Sequence, residues 1–187
     1  MTTQERRARE RADRHGRIIA TARELAEEQG WDAVTTRRLA DRIEYSQPVL
    51  YGHFPGGKDE IVAAVALEGF DELARTLTTA VGGRSGRDGV AALTDAYLDF
   101  AASRPAVYTA MFDLAALPFA ADETPAVLRA GFEAVRAALG GDDELAEVGW
   151  ATLHGLATLR RAGRVPAATE THRRERVVDL LDPARAR

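Results

Sequence analysis

The chain contains no cysteine, and Lys58 is its one lysine, every other positively charged side chain being arginine. Without cysteine there is no disulfide framework, no thiol nucleophile and no cysteine-ligated zinc, which fits a reducing cytoplasm. No segment is continuously apolar over the length of a bilayer. The opening residues, MTTQERRARERADRHGR, are charged throughout and lack the apolar core of a signal peptide. No membrane partner is therefore expected, and the expected location is cytoplasmic. Aromatics make up only 6%, and no stretch alternates with the period of a strand. Also missing are H-E-x-x-H, G-x-S-x-G, a glycine-rich phosphate loop after a strand and a paired-carboxylate motif, so an enzyme is not expected. No cofactor or metal is expected either.

What is present is helix-forming. Over 187 residues, 45% are apolar and 29% charged, with alanine, arginine, leucine and glutamate prominent. This composition predicts an all-α fold. The net charge of −4 argues by itself against nucleic acid, but it is unevenly distributed. Residues 1–58 hold 11 Lys+Arg against 9 Asp+Glu, and the remainder 14 against 20. A DNA-binding head on an acidic body gives this asymmetry, and so does a solvated basic arm.

Apolar spacing predicts a first helix over 14–29, with Ile18, Ala22, Leu25 and Ala26 on one face, stopped by Gly30 and followed by Trp31. Thr35 or Thr36 caps a second helix carrying Leu39, Ala40 and Ile43, which ends at Glu44–Tyr45. Ser46 is the expected N-cap of a third, with Pro48 in its first turn. Pro55, Gly56 and Gly57 break that helix, and Lys58 opens a longer one running to Gly82–Gly83. Residues 81–89 read as a loop. Further helices are expected from about Asp88 to Ser103 and from Pro105 onward. Thr124 with Pro125 is expected to open another after an irregular stretch over 118–125. The last two are a long helix capped by Asp142 and ending at Arg161, and one from about Thr171. The residues before Arg14 are expected to be disordered, the alternative being an arm whose arginines enter a minor groove.

Two short helices, a tight turn and polar residues opening the second are the geometry of a helix-turn-helix that reads DNA. The order T-T-x-x-L-A, then S-x-x-x-L-Y-x-H-F-P, then K-D-E resembles the N-terminal domain of the TetR family of transcriptional regulators, over about Ile18 to Ile61. The resemblance implies a three-helix DNA-binding domain over 1–60 and a helical ligand-binding and dimerisation domain over 61–187. It places Thr36, Tyr51, His53 and Lys58 toward phosphates, and Ser46, Gln47 and Val49 toward base edges, Gln47 being able to pair bidentately with adenine, with Arg37 and Pro48 as further DNA-binding residues. Two positions depart from the family pattern. Glu44 stands in the turn where a small residue or glycine is usual, and F-P-G-G-K is one residue longer than the common spacing.

On the body, W-A-T-L-H-G with Trp150, His154 and Gly155 resembles a tryptophan–histidine–glycine subgroup of the family's C-terminal domain. The resemblance implies a repressor that leaves a near-palindromic double-stranded operator when a small-molecule effector binds, and a homodimer formed through the last two long helices. The expected effector residues are Tyr97, Tyr108, Met111, Phe112, Trp150 and His154, with Phe100, Phe119 and Phe132 as further candidates. Such side chains at helical spacing also build cores, and His154 reads first as a core histidine bonded to a carbonyl. Two other readings stay open. One is a ligand-binding or dimerisation module that has lost DNA binding; the other is an enzyme using His154 with Asp113 or Asp142.

Overall fold

The computed structural model describes residues 2–117 and 124–184. Phe119 and most of the expected irregular stretch lie outside them. Among the described residues there are nine α-helices and no strand, and no helix is long and apolar enough to cross a membrane. The chain divides into two compact units. One runs to Gly69 and takes in Ala106–Leu117; the other takes in Phe70–Pro105 and the C-terminal helices.

In the first unit, helix α1 spans Thr3–Gln29, so the residues before Arg14, expected to be disordered, are helical. The cause is local. The Thr2 hydroxyl accepts from the Glu5 amide, and the Glu5 carboxylate accepts in return from the Thr2 amide, forming a capping box. Arginine, glutamate and alanine then propagate the helix well. Ile18, Ala22, Leu25 and Ala26 are its buried face, as their spacing predicted. Gly30, at φ 80°, ends it, and Trp31 follows in a short 3-10 turn.

Helix α2, Thr36–Ile43, is capped by Thr35, whose hydroxyl accepts from the Arg38 amide. It ends at Glu44, which adopts the left-handed conformation at φ 58° and ψ 36° and is the one described non-glycine residue with positive φ. The Glu44 and Tyr45 amides both donate to the Ala40 carbonyl, closing the turn. Helix α3 is Gln47–His53; its Leu50 and its C-cap residue Phe54 are buried, as is Leu39 of α2. Helix α4, Lys58–Val81, crosses the boundary between the units at Gly69.

Helix α6, Pro105–Thr109, continues into a π-helical turn over Ala110–Leu114. Pro105 needs no amide partner at a helix start. The next two amides, of Ala106 and Val107, donate to the carboxylate of Glu27 on α1 at 3.0–3.1 Å. The Trp31 indole N–H donates to the Ala106 carbonyl at 2.8 Å. Gly69 permits a close approach to this helix, since a Cβ there would stand 2.6 Å from a Val107 methyl and 2.8 Å from the Met111 sulfur.

The second unit packs α5 (Gly86–Ser103) against α7 (Ala126–Ala138), α8 (Asp143–Arg161) and α9 (Glu170–Leu181). Asp142 caps α8 as expected, accepting from the Leu145 amide at 2.9 Å. Pro125 rather than Thr124 holds the N-cap position of α7, and no side chain caps it. Gly149 lets α8 approach closely, since a Cβ there would lie 2.6 Å from Leu139. Arg174 on α9 bridges to Asp95 and Asp99 of α5 and to Glu170 at 2.6–2.9 Å.

Candidate nucleic-acid interface

The α2–α3 pair presents one continuous polar face. At its centre the Thr36 hydroxyl, in the first turn of α2, lies 3.5 Å from the Tyr51 hydroxyl of α3. Gly57, at φ 64°, lies against both side chains, its Cβ position being 3.6 Å from the Tyr51 ring and 4.0 Å from the Thr36 methyl. The second glycine of F-P-G-G-K is therefore accommodated. The Gly57 amide closes a turn onto the Phe54 carbonyl, and the Gly56 amide donates to Glu60 Oε2 at 2.8 Å. Tyr51 remains 47% exposed, which leaves its hydroxyl open to a ligand.

The three arginines of α2 are used differently. Arg38 donates to Gln29 at 2.6 Å, and Arg42 makes a paired contact with the Glu28 carboxylate at 2.7 and 2.9 Å. Those bonds hold α2 on α1, and the Arg42 hydrogen bond keeps Glu28 below the usual carboxylate range. Arg37 is exposed and makes no hydrogen bond or ion pair among the described residues, leaving it available to an anion.

At the start of α3, Ser46, Gln47 and Pro48 are exposed and Val49 is half-buried. Ser46 holds the N-cap position, yet its hydroxyl makes no cap bond. Pro48 has no amide to offer, and the Val49 amide is taken by the Ser46 carbonyl at 3.0 Å. The serine hydroxyl is thus left unsatisfied by the fold.

His53 closes the other end of α3. Burial, then the neighbouring charges of Arg11, His15 and Arg14, hold its imidazole below the usual histidine pKa, so the neutral form is favoured. The His15 ring stacks on Phe54 at 4.4 Å and lies 6.1 Å from His53. Arg11 donates to the Gly52 carbonyl at 3.0 Å. Neither Arg11 nor His15 was found by sequence reasoning, although the T-x-x-E capping box offered a signal that the helix began early. Lys58 is only half-buried, but its ammonium donates to the Trp31 carbonyl at 2.6 Å, so one of its three donors faces inward.

Two family models match the chain, "Bacterial regulatory proteins, tetR family" over residues 18–65 and "Tetracyclin repressor-like, C-terminal domain" over residues 90–181. The chain belongs to the TetR family. The C-terminal description names no tryptophan–histidine–glycine subgroup. Among relatives of this TetR-family protein, the uncharacterised HTH-type transcriptional regulator YobS of Bacillus subtilis is 31% identical over 93 residues, covering 50% of this chain and 48% of that protein. The chain thus spans about half the length of that relative. An uncharacterised HTH-type transcriptional regulator of Mycobacterium tuberculosis is 29% identical over 155 residues, 78% of this chain and 69% of that protein. A solved structure from Rhodococcus sp. RHA1, described as a protein with unknown function, superposes with a TM-score of 0.72 at 26% identity, covering 89% of this chain and 92% of that one.

The six expected effector residues are divided between the two compact units. Tyr108, Met111 and Phe112 belong to the first unit, where the rings of Tyr108 and Phe112 are 4.6 Å apart and Met111 packs against Gly69. Tyr97, Trp150 and His154 belong to the second; Tyr97 is fully buried, and Trp150 meets Phe132 edge-on at 6.1 Å. A groove of about 290 Å³ in the second unit, lined by Arg87, Asp95, Thr171, Arg174 and neighbours on α5 and α9, contains none of the six. Among the described residues, no group of three or more His, Asp or Glu side chains is placed to hold a metal ion.

Proposed function

We propose that this TetR-family protein is a DNA-binding transcriptional regulator, a repressor released from a near-palindromic operator by a small-molecule effector. The observation that carries the reading is the paired Thr36 and Tyr51 hydroxyls, flanked by the uncommitted Arg37 and by exposed Ser46 and Gln47 at the start of α3. Thr36, Arg37, Tyr51, His53 and the outer donors of Lys58 hold phosphates, while Ser46, Gln47, Pro48 and Val49 meet base edges. Residues 1–60 carry these contacts, and residues 61–187 carry effector binding and dimerisation. The place of action is the cytoplasm, with the DNA, and no catalytic step is assigned.

One short helix reads too few bases for useful specificity, so two copies act together, their α3 helices about 34–36 Å apart. Helices α8 and α9 are the proposed dimer surface. Val148, Ala151, Gly155 and Leu159 form an apolar stripe along α8, with Val148 54% and Leu159 42% exposed, and Leu180 on α9 is 63% exposed. An effector releases DNA only by binding better to a state whose α3 helices are wrongly spaced. Tyr97, Tyr108, Met111, Phe112, Trp150 and His154 stay the candidates for contacting it, and α4 the element that transmits it.

The test is fluorescence anisotropy with a duplex of about 30 base pairs selected from a random pool by the parent protein. The Tyr51→Phe/Lys58→Ala double variant is expected to bind at least tenfold more weakly. Equal binding by that variant, or parent affinity insensitive to salt, would defeat the reading.

A further inference from the structure

We propose that the N-terminal half of α1 is a second DNA contact, an arginine stripe of Arg7, Arg11 and Arg14 that grips the phosphate backbone flanking the groove occupied by α3. It rests on the DNA-binding reading above. Residues 2–14 are all exposed, yet they form a capped helix continuous with the buried part of α1. Counting toward the N-terminus from Ile18 at helical spacing gives Arg14, Arg11 and Arg7, so the face that is core beyond Ile18 becomes an arginine stripe before it.

The direction of that stripe is fixed by its contacts. Arg11 donates to the Gly52 carbonyl, and His15 stacks on Phe54, so the stripe leaves the first unit at the C-terminal end of α3. From Ile18 to Arg7 the helix rises roughly 16 Å. That exceeds the roughly 12 Å width of a major groove, and a helix seated beside α3 reaches the strand that borders the groove.

The composition of the segment favours that occupant. Residues 2–17 contain six arginines against Glu5, Glu10 and Asp13. Glu10 is engaged by Arg6 and Arg14 at 3.8 and 3.9 Å, whereas Arg7 makes no hydrogen bond or ion pair among the described residues. The only apolar side chains in this segment are Ala8 and Ala12. A membrane surface or a protein partner needs a larger apolar anchor than two alanines. Phosphates need none, and the contact adds affinity without reading sequence.

The experiment compares the full-length parent with Arg7→Gln/Arg14→Gln on the same selected duplex and on a scrambled one, across a salt series. Arg11 is left in place because it also holds Gly52. Affinity for both duplexes is expected to fall by the same several-fold factor. The slope of log affinity against log salt is expected to shrink by about 0.9 for each phosphate that the variant no longer neutralises. Arg9→Gln, which removes one charge from the opposite face, is expected to preserve the slope. A double variant with the parent's slope, or Arg9→Gln behaving like the double variant, overturns the stripe while leaving the α2–α3 reading intact. A parent that binds no duplex overturns both. Sedimentation with phosphatidylserine vesicles that matches DNA binding and is abolished in the double variant would assign the stripe to a membrane instead.

Discussion

Glu44 bears the backbone strain of the α2–α3 turn. An L-residue in the left-handed region costs about 1–2 kcal/mol, and a glycine there removes that cost while adding some entropy to the unfolded chain. Glu44→Gly is therefore expected to stabilise the protein by about 0.5–1 kcal/mol, read as a melting temperature raised by about 1–4 °C in calorimetry. His53 gives a dependence on pH. Its folded pKa is depressed by burial and by Arg11, His15 and Arg14, so below the usual histidine value of about 6.5 the unfolded chain binds the extra proton more readily. Its contribution to stability is full above that value and is lost as pH falls through the folded pKa. A phosphate beside His53 reverses the shift, so operator affinity is expected to rise over the same fall in pH. His53→Gln should flatten both profiles in denaturant titrations and anisotropy.

At the scale of elements, the bond between α1 and α6 holds the most information. A charged carboxylate capping two amides at a helix start stabilises by about 1 kcal/mol when partly exposed. Glu27→Gln presents an amide nitrogen where an acceptor is needed, and is expected to lower the melting temperature by about 2–4 °C. The α2–α3 pair and the Asp142 cap of α8 were legible in the sequence because their determinants are local: a threonine, serine or aspartate just ahead of an apolar repeat. At Glu44 the departure from the family pattern was legible, whereas the left-handed backbone that the residue adopts was not. The early start of α1 was missed because residues 2–14 have no apolar period; charge pairs and a capping box sustain that helix instead. At α7 the Thr-Pro signal was off by one position, since Pro125 itself holds the cap.

On the scale of the whole molecule, periodicity carried the helical class, and the motif order carried the helix-turn-helix, but neither could reveal the partition of the chain. Glu27 and Ala106 are separated by 79 residues, a pairing that no local pattern encodes. In the structure Ala106–Leu117 clusters with the N-terminal helices. That discontinuity also sets an order of assembly during synthesis. When Gly69 has been made, the indole of Trp31 and the carboxylate of Glu27 still lack their partners, and roughly 50 further residues must be added before Leu117 completes the unit. At 5–20 residues per second this wait lasts roughly 2–10 s. For that interval the nascent helix-turn-helix stands with one wall open, and its final stability arrives only with a segment encoded well downstream of it.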